Sequence, residues 1–80
     1  MNPNEYQGWS NWETWNVALY IQNEESLYRL AKSFKDAVSP YDEFRYVVID
    51  DLEIFRTPDG VSYCDPILNK RELNRMIREL

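Results

Sequence analysis

The sequence predicts an all-α domain of four helices with a short extended segment near residues 60–64. Apolar residues recur at three- and four-residue spacing through most of the chain, the period of a helix that buries one side. A helix-starting signal precedes each such run, at Ser10/Asn11, Asn23, Ser39-Pro40 and Asn69. The strongest turn signal, Thr57-Pro58-Asp59-Gly60, falls between the third and fourth runs.

The first run is the densest. Gly8 to Glu25 holds all three tryptophans, Trp9, Trp12 and Trp15, followed by Val17, Ala18, Leu19, Tyr20 and Ile21. A helix apolar nearly all round belongs inside a protein, covered on several sides. It is too short for a membrane span, which takes ~20 apolar residues. Ser10 followed three residues later by Glu13 fits a capping box, with Asn11 as the alternative cap. A buried central helix over about residues 11–22 is expected.

Asn23 ends this helix or caps the next, and Glu24 and Glu25 place negative charge in a first turn, where the helix dipole favours it. Leu27, Leu30, Ala31, Phe34 and Val38 form an amphipathic stripe, and Glu25 and Arg29 form a favourable i,i+4 pair. Ser39 as cap with Pro40 at the first helical position starts the third helix, because proline lacks the N–H that would be unpaired there. Phe44, Val47, Val48, Leu52 and Phe55 are its stripe, with Asp50, Asp51 and Glu53 outward. The β-branched run Arg45–Ile49 allows a rival, α+β, with a hairpin at 44–56 about Asp50-Asp51; Asp-Asp is a poor two-residue turn, which favours helix. Val61 and Tyr63 then alternate with Ser62 and Cys64, as in an extended segment laying two side chains on the core. Asn69 caps the last helix, whose apolar stripe is Leu73, Met76, Ile77 and Leu80, opposite Arg71, Arg75 and Arg78.

Eighty residues without repeat or linker read as one domain, 1–80, with residues 1–8 a loose N-terminal tail. Fourteen acidic against nine basic residues give a net charge of −5, with the basic excess confined to the last fifteen positions. That balance argues against direct binding of nucleic acid or an anionic membrane. The polar first ten residues lack the apolar core of a signal peptide, and Cys64 is the only cysteine, so a cytoplasmic protein is expected.

The chain has no histidine, which removes histidine-dependent nucleophilic and acid–base machinery and the commonest metal ligand. One cysteine cannot make a zinc cluster, and Gly8 and Gly60 cannot make a phosphate loop. No catalytic residue, metal or cofactor is expected. The candidate binding residues are Trp9, Trp12, Glu13 and Asn16. Tryptophan is enriched at interfaces, although core packing is the stronger explanation for Trp12 and Trp15 and leaves Trp9 as the candidate for exposure. Glu13 among tryptophans would suit a general acid, and the capping box is the plainer role. Asn16 within an apolar helix must find partners, as a structural hub before a ligand contact. Cys64 reads as an inert thiol at the core edge. The arginine stripe reads as a solvated face opposite the acids of the third helix.

Asn11, Glu13, Thr14, Trp15, Asn16, Val17, Ala18, Leu19, Ile21 and Asn23 fit the run N-x-E-T-W-N-V-A-L-W-I-x-N-D/E, with Tyr20 where tryptophan is frequent. The chain thereby resembles a family of small proteins of unknown function from cyanobacteria, phages and plasmids. Thr57 to Val61, Asp65-Pro66 and Glu72 to Asn74 extend the likeness over most of the chain. The resemblance implies a small, mainly helical domain and brings no activity. The expected function is a non-catalytic interaction or regulatory domain with a protein partner. The alternative is an acidic mimic of nucleic acid, in which Asp42, Glu43, Asp50, Asp51 and Glu53 imitate phosphates and inhibit a DNA-acting enzyme of host defence.

Overall fold

The computed structural model describes residues 8–80, so the expected tail lies almost entirely outside the described residues. The fold is all-α. Four α-helices follow in order: α1 (Trp12–Asn23), α2 (Glu25–Ser33), α3 (Pro40–Tyr46) and α4 (Lys70–Arg78). A π turn, Val47–Asp51, continues α3 without a break. No helix among the described residues is long and apolar enough to cross a membrane.

Each helix buries the stripe that its spacing foretold, up to a point. Val17, Ala18 and Ile21 of α1, Leu27 and Ala31 of α2, Phe44 and Val48 of α3 and its π turn, and Leu73 and Ile77 of α4 meet in one core. Helices α1 and α2 are joined through Glu24 alone, which ends the first with its N–H on the Tyr20 carbonyl and caps the second by accepting from the Ser26 N–H. Of the two roles open to Asn23, it takes the first, as the last residue of α1, and leaves the capping of α2 to Glu24. Fully buried Tyr41 and Phe44 sit 6.0 Å apart, and Tyr63 meets Phe44 edge-on at 6.3 Å. Such aromatic pairs add attraction beyond the area they bury. The Tyr41 hydroxyl donates to the Tyr63 carbonyl at 2.7 Å, which ties α3 to the segment after Gly60.

No hairpin forms at 44–56; residues 40–51 are helical. The only strand-like pairing among the described residues is one turn later. Arg56 and Ser62 form an isolated antiparallel bridge around Pro58-Asp59-Gly60, with Gly60 at φ +94°. Val61 and Tyr63 are buried there as the alternation required.

Four expectations are corrected. Helix α2 stops at Ser33, and Val38, assigned to its buried stripe, is 93% exposed. Leu52 and Phe55, assigned to the core stripe of the third helix, are exposed, because the helical run ends at Asp51 and Glu53 turns the chain at φ +56°. Cys64 is exposed rather than at the core edge, since Tyr63 takes the inward position beside it. Finally, α1 is not covered all round. Trp12, Trp15 and Leu19 are only partly buried, and its buried residues are Thr14, Asn16, Val17, Ala18 and Ile21.

Candidate functional site

The start of α1 is built with the start of α4. Asn11, not Ser10, is the N-cap of α1, accepting from the Thr14 N–H at 2.8 Å. Ser10 reaches 62 residues ahead: its N–H donates to Glu72 Oε1 at 2.9 Å and its hydroxyl to Glu72 Oε2 at 2.6 Å. Asn69 caps α4 by accepting from the Glu72 N–H, donates its Nδ2 to the Ser10 hydroxyl, and gives its own N–H to Thr14 Oγ1 at 3.0 Å. Two helix starts thus satisfy each other's free donors, a capping box closed across the fold instead of within one helix. Glu13 makes no side-chain hydrogen bond or ion pair among the described residues. Ser10→Ala should therefore cost about 1 kcal/mol, which lowers the melting midpoint by several degrees in a domain of this size. Glu13→Ala should stay within about 0.5 kcal/mol of wild type. Thermal melts of both variants check the pair, and a Glu13 effect equal to that of Ser10 would restore the local box.

Asn16 is a hub, as its burial demands. It is 0% exposed; its Nδ2 donates to Asp59 Oδ2 at 2.8 Å and its Oδ1 accepts from the Thr57 hydroxyl at 2.7 Å. Thr57 in turn accepts from the Val61 N–H, and Tyr20 donates to Asp59 at 3.0 Å. That hydrogen bond is the main reason the Tyr20 phenol is held above its ordinary pKa, with desolvation and the Asp59 charge adding to it. The network clamps the Thr57–Gly60 turn onto α1. Both bonds of Asn16 go to the turn, and its side chain is shut off from solvent.

Trp9 and Trp12 are half-buried against the core. Trp9 also borders an open cavity of about 360 Å³, together with Gln22, Arg75, Met76, Glu79 and Leu80. The four candidate residues therefore do not converge on one site. Nor does any group of three metal-ligating side chains come together among the described residues.

A surface missed by sequence reasoning begins at the end of α3. Within ten residues Tyr46, Leu52, Ile54 and Phe55 are exposed, at 64%, 49%, 37% and 59%, among the exposed acids Asp50, Asp51 and Glu53. The same stretch holds the π turn and Glu53, which is the only non-glycine residue at positive φ among those described. An open groove of about 720 Å³ runs beside it, lined by Asp42, Glu43, Arg45, Tyr46, Ile49 and Asp50. Of the acids of α3, Asp42 meets Arg45 and Lys70, both 3.2 Å from its Oδ1, and none pairs with the arginine stripe of α4 among the described residues. Of that stripe, Arg78 donates to the Val38 carbonyl at 2.8 Å. The available signal is Ile54, which lies two residues from Leu52 and so on the opposite side of a helix, so that one buried face cannot hold both.

Comparison with curated proteins and with solved structures finds no match. A family model matches residues 2–80, nearly the whole chain, and the protein belongs to the family it describes, a family of unknown function (DUF7249).

Proposed function

We propose that this is a non-catalytic protein-interaction domain that docks a partner protein through the Tyr46–Phe55 surface. One observation carries the reading: exposed apolar side chains, a π turn and a left-handed non-glycine residue coincide in a single ten-residue stretch. Contiguous exposed apolar residues rimmed by charge are typical of interaction sites. π turns and positive φ at a residue with a side chain each cost stability, and they concentrate at functional sites. Here they turn Leu52 and Phe55 out to solvent when the helical period would have buried them.

A second reading, the acidic mimic of nucleic acid, draws on the exposure of Glu43, Asp50, Asp51 and Glu53. The motif likeness to proteins of phages, plasmids and cyanobacteria would give either reading a setting in mobile elements. The interleaved apolar residues favour the first, since phosphate mimicry has no use for them.

The test is affinity capture from an extract of source cells with wild type and with a Leu52→Asp, Phe55→Asp variant whose melting midpoint is unchanged. A partner held by wild type and weakened at least about tenfold by the variant is expected, because buried apolar anchors dominate such interfaces. Equal retention by both proteins overturns the reading. Capture of a DNA-acting enzyme, lost on Asp50→Asn with Asp51→Asn and Glu53→Gln but kept by the apolar variant, would replace it with the mimic.

A further inference from the structure

We infer that the groove beside α3 receives an arginine side chain of the partner protein. The inference rests on the interaction reading above and supplies the partner's chemistry. Glu43 and Tyr46 lie one turn apart on α3 and Asp50 about one π turn further, and all three line the same groove, which puts them on one face. All three are exposed and border the groove, with Ile49 half-buried beside them. An aromatic ring, 64% exposed, therefore stands between two carboxylates, one turn to either side.

The nearby cations do not serve this stripe. Arg45 and Lys70 both turn to Asp42 Oδ1, each at 3.2 Å. The side chains of Glu43 and Asp50 take no hydrogen bond or ion pair among the described residues. A guanidinium answers these three side chains, with Arg45 of the same lining neutralised on Asp42: its flat face stacks on the Tyr46 ring, its edges carry donors toward both carboxylates, and its charge is opposite to theirs. A lysine would supply the charge without the plane or the fork. The net charge of −5 draws a basic partner, and it opposes a second copy of this chain, which brings the same charge.

The experiment is an amide chemical-shift titration with a capped Gly-Leu-Arg-Leu-Gly peptide and with its citrulline counterpart, which has nearly the same shape and no charge. Saturable shifts at Glu43, Tyr46, Ile49, Asp50 and Cys64, which also lines the groove, are expected with the arginine peptide. Citrulline should weaken them at least about tenfold, the scale of a lost charge-assisted hydrogen bond. Tyr46→Leu should weaken them roughly threefold, the scale of a cation–π contact at an exposed site. Equal binding of the citrulline peptide, shifts spread evenly over remote acids such as Glu24 and Glu25, or no shifts at all overturn the inference. Shifts at the same amides on concentrating the protein alone, abolished by Arg71→Ala with Arg75→Ala, would put a second copy in the groove and also overturn it. If a captured partner is lost on Leu52→Asp with Phe55→Asp but binds Tyr46→Leu as wild type, the arginine anchor fails while the docking surface stands.

Discussion

Asn16→Asp should remove about 3–5 kcal/mol of stability at neutral pH, a large part of what a domain of this size has. The substitution changes one side-chain group and almost no volume. It replaces the amide that donates to Asp59 at 2.8 Å with a second carboxylate, at a position that is 0% exposed. Two like charges then face each other, the introduced one without exposure and Asp59 exposed beside it, and only the Thr57 hydroxyl is left to donate to the introduced group. The introduced carboxyl can escape by binding a proton, so its folded pKa is raised above its unfolded value. A group so shifted adds its destabilisation as pH rises through the unfolded value of about 4, and the variant should approach wild type below that pH. Asp59→Asn in the same chain gives the pair a donor again and should return about 1–2 kcal/mol, a coupling that a double-mutant cycle measures directly. Urea denaturation of the four proteins near neutral pH supplies the cycle. A cost under about 1 kcal/mol for Asn16→Asp would mean that water reaches the site and that the turn is not clamped.

The clamp also marks where the sequence stopped being informative. A buried asparagine in an apolar helix demands partners, and that much is local logic. Which partners it has depends on a turn 41 to 43 residues away, and no spacing encodes that. Helix starts divide in the same way. Asn69 and Pro40 are legible because their chemistry acts on the next turn of chain. Ser39 stands at the cap of α3 as its position implies, but the side chain that satisfies a free donor there is not legible: Ser39 makes no side-chain bond, and Asn74 on α4 accepts from the Tyr41 N–H at 2.8 Å. Ser10 was read as the partner of Glu13 because both lie in one local pattern, whereas its true partner, Glu72, becomes a neighbour only when α4 packs on α1. Periodicity succeeded through Phe44 and Val48 and failed at Leu52 and Phe55 for a physical reason. A π turn advances the chain by a wider step than an α turn, and the run ends at Asp51. A stripe extrapolated at the α period thus assigns the wrong side from there on. Apart from Tyr46, the exposed apolar residues of the candidate docking surface begin where the extrapolation breaks.

Alkaline titration should unfold the protein in a step that carries Tyr41 with it. Tyr41 is 0% exposed, and burial drives its phenol far above the ordinary value, with the neighbouring Tyr63 adding to the effect and Arg45 opposing it. Burial likewise pushes Tyr63 up to about 12, with Tyr20 contributing. In the unfolded chain a tyrosine loses its proton near pH 10. Above that pH the folded state therefore holds more protons than the unfolded one, and stability falls as pH rises. The contribution is fully present below about pH 10. For Tyr41 alone it is lost at up to about 1.4 kcal/mol for each further pH unit. Two to three units of such loss approach the whole stability of a small domain. Phenolate absorbance and helical circular dichroism followed together should show the last phenols ionising as the helical signal collapses. Tyr41→Phe, which loses only the hydroxyl and its bond to the Tyr63 carbonyl, should start about 1 kcal/mol less stable and decline more gently above pH 10. An unchanged slope in that variant, or complete phenolate absorbance while the helices persist, would show that Tyr41 exchanges its proton with solvent in the folded state and that the aromatic core opens without unfolding.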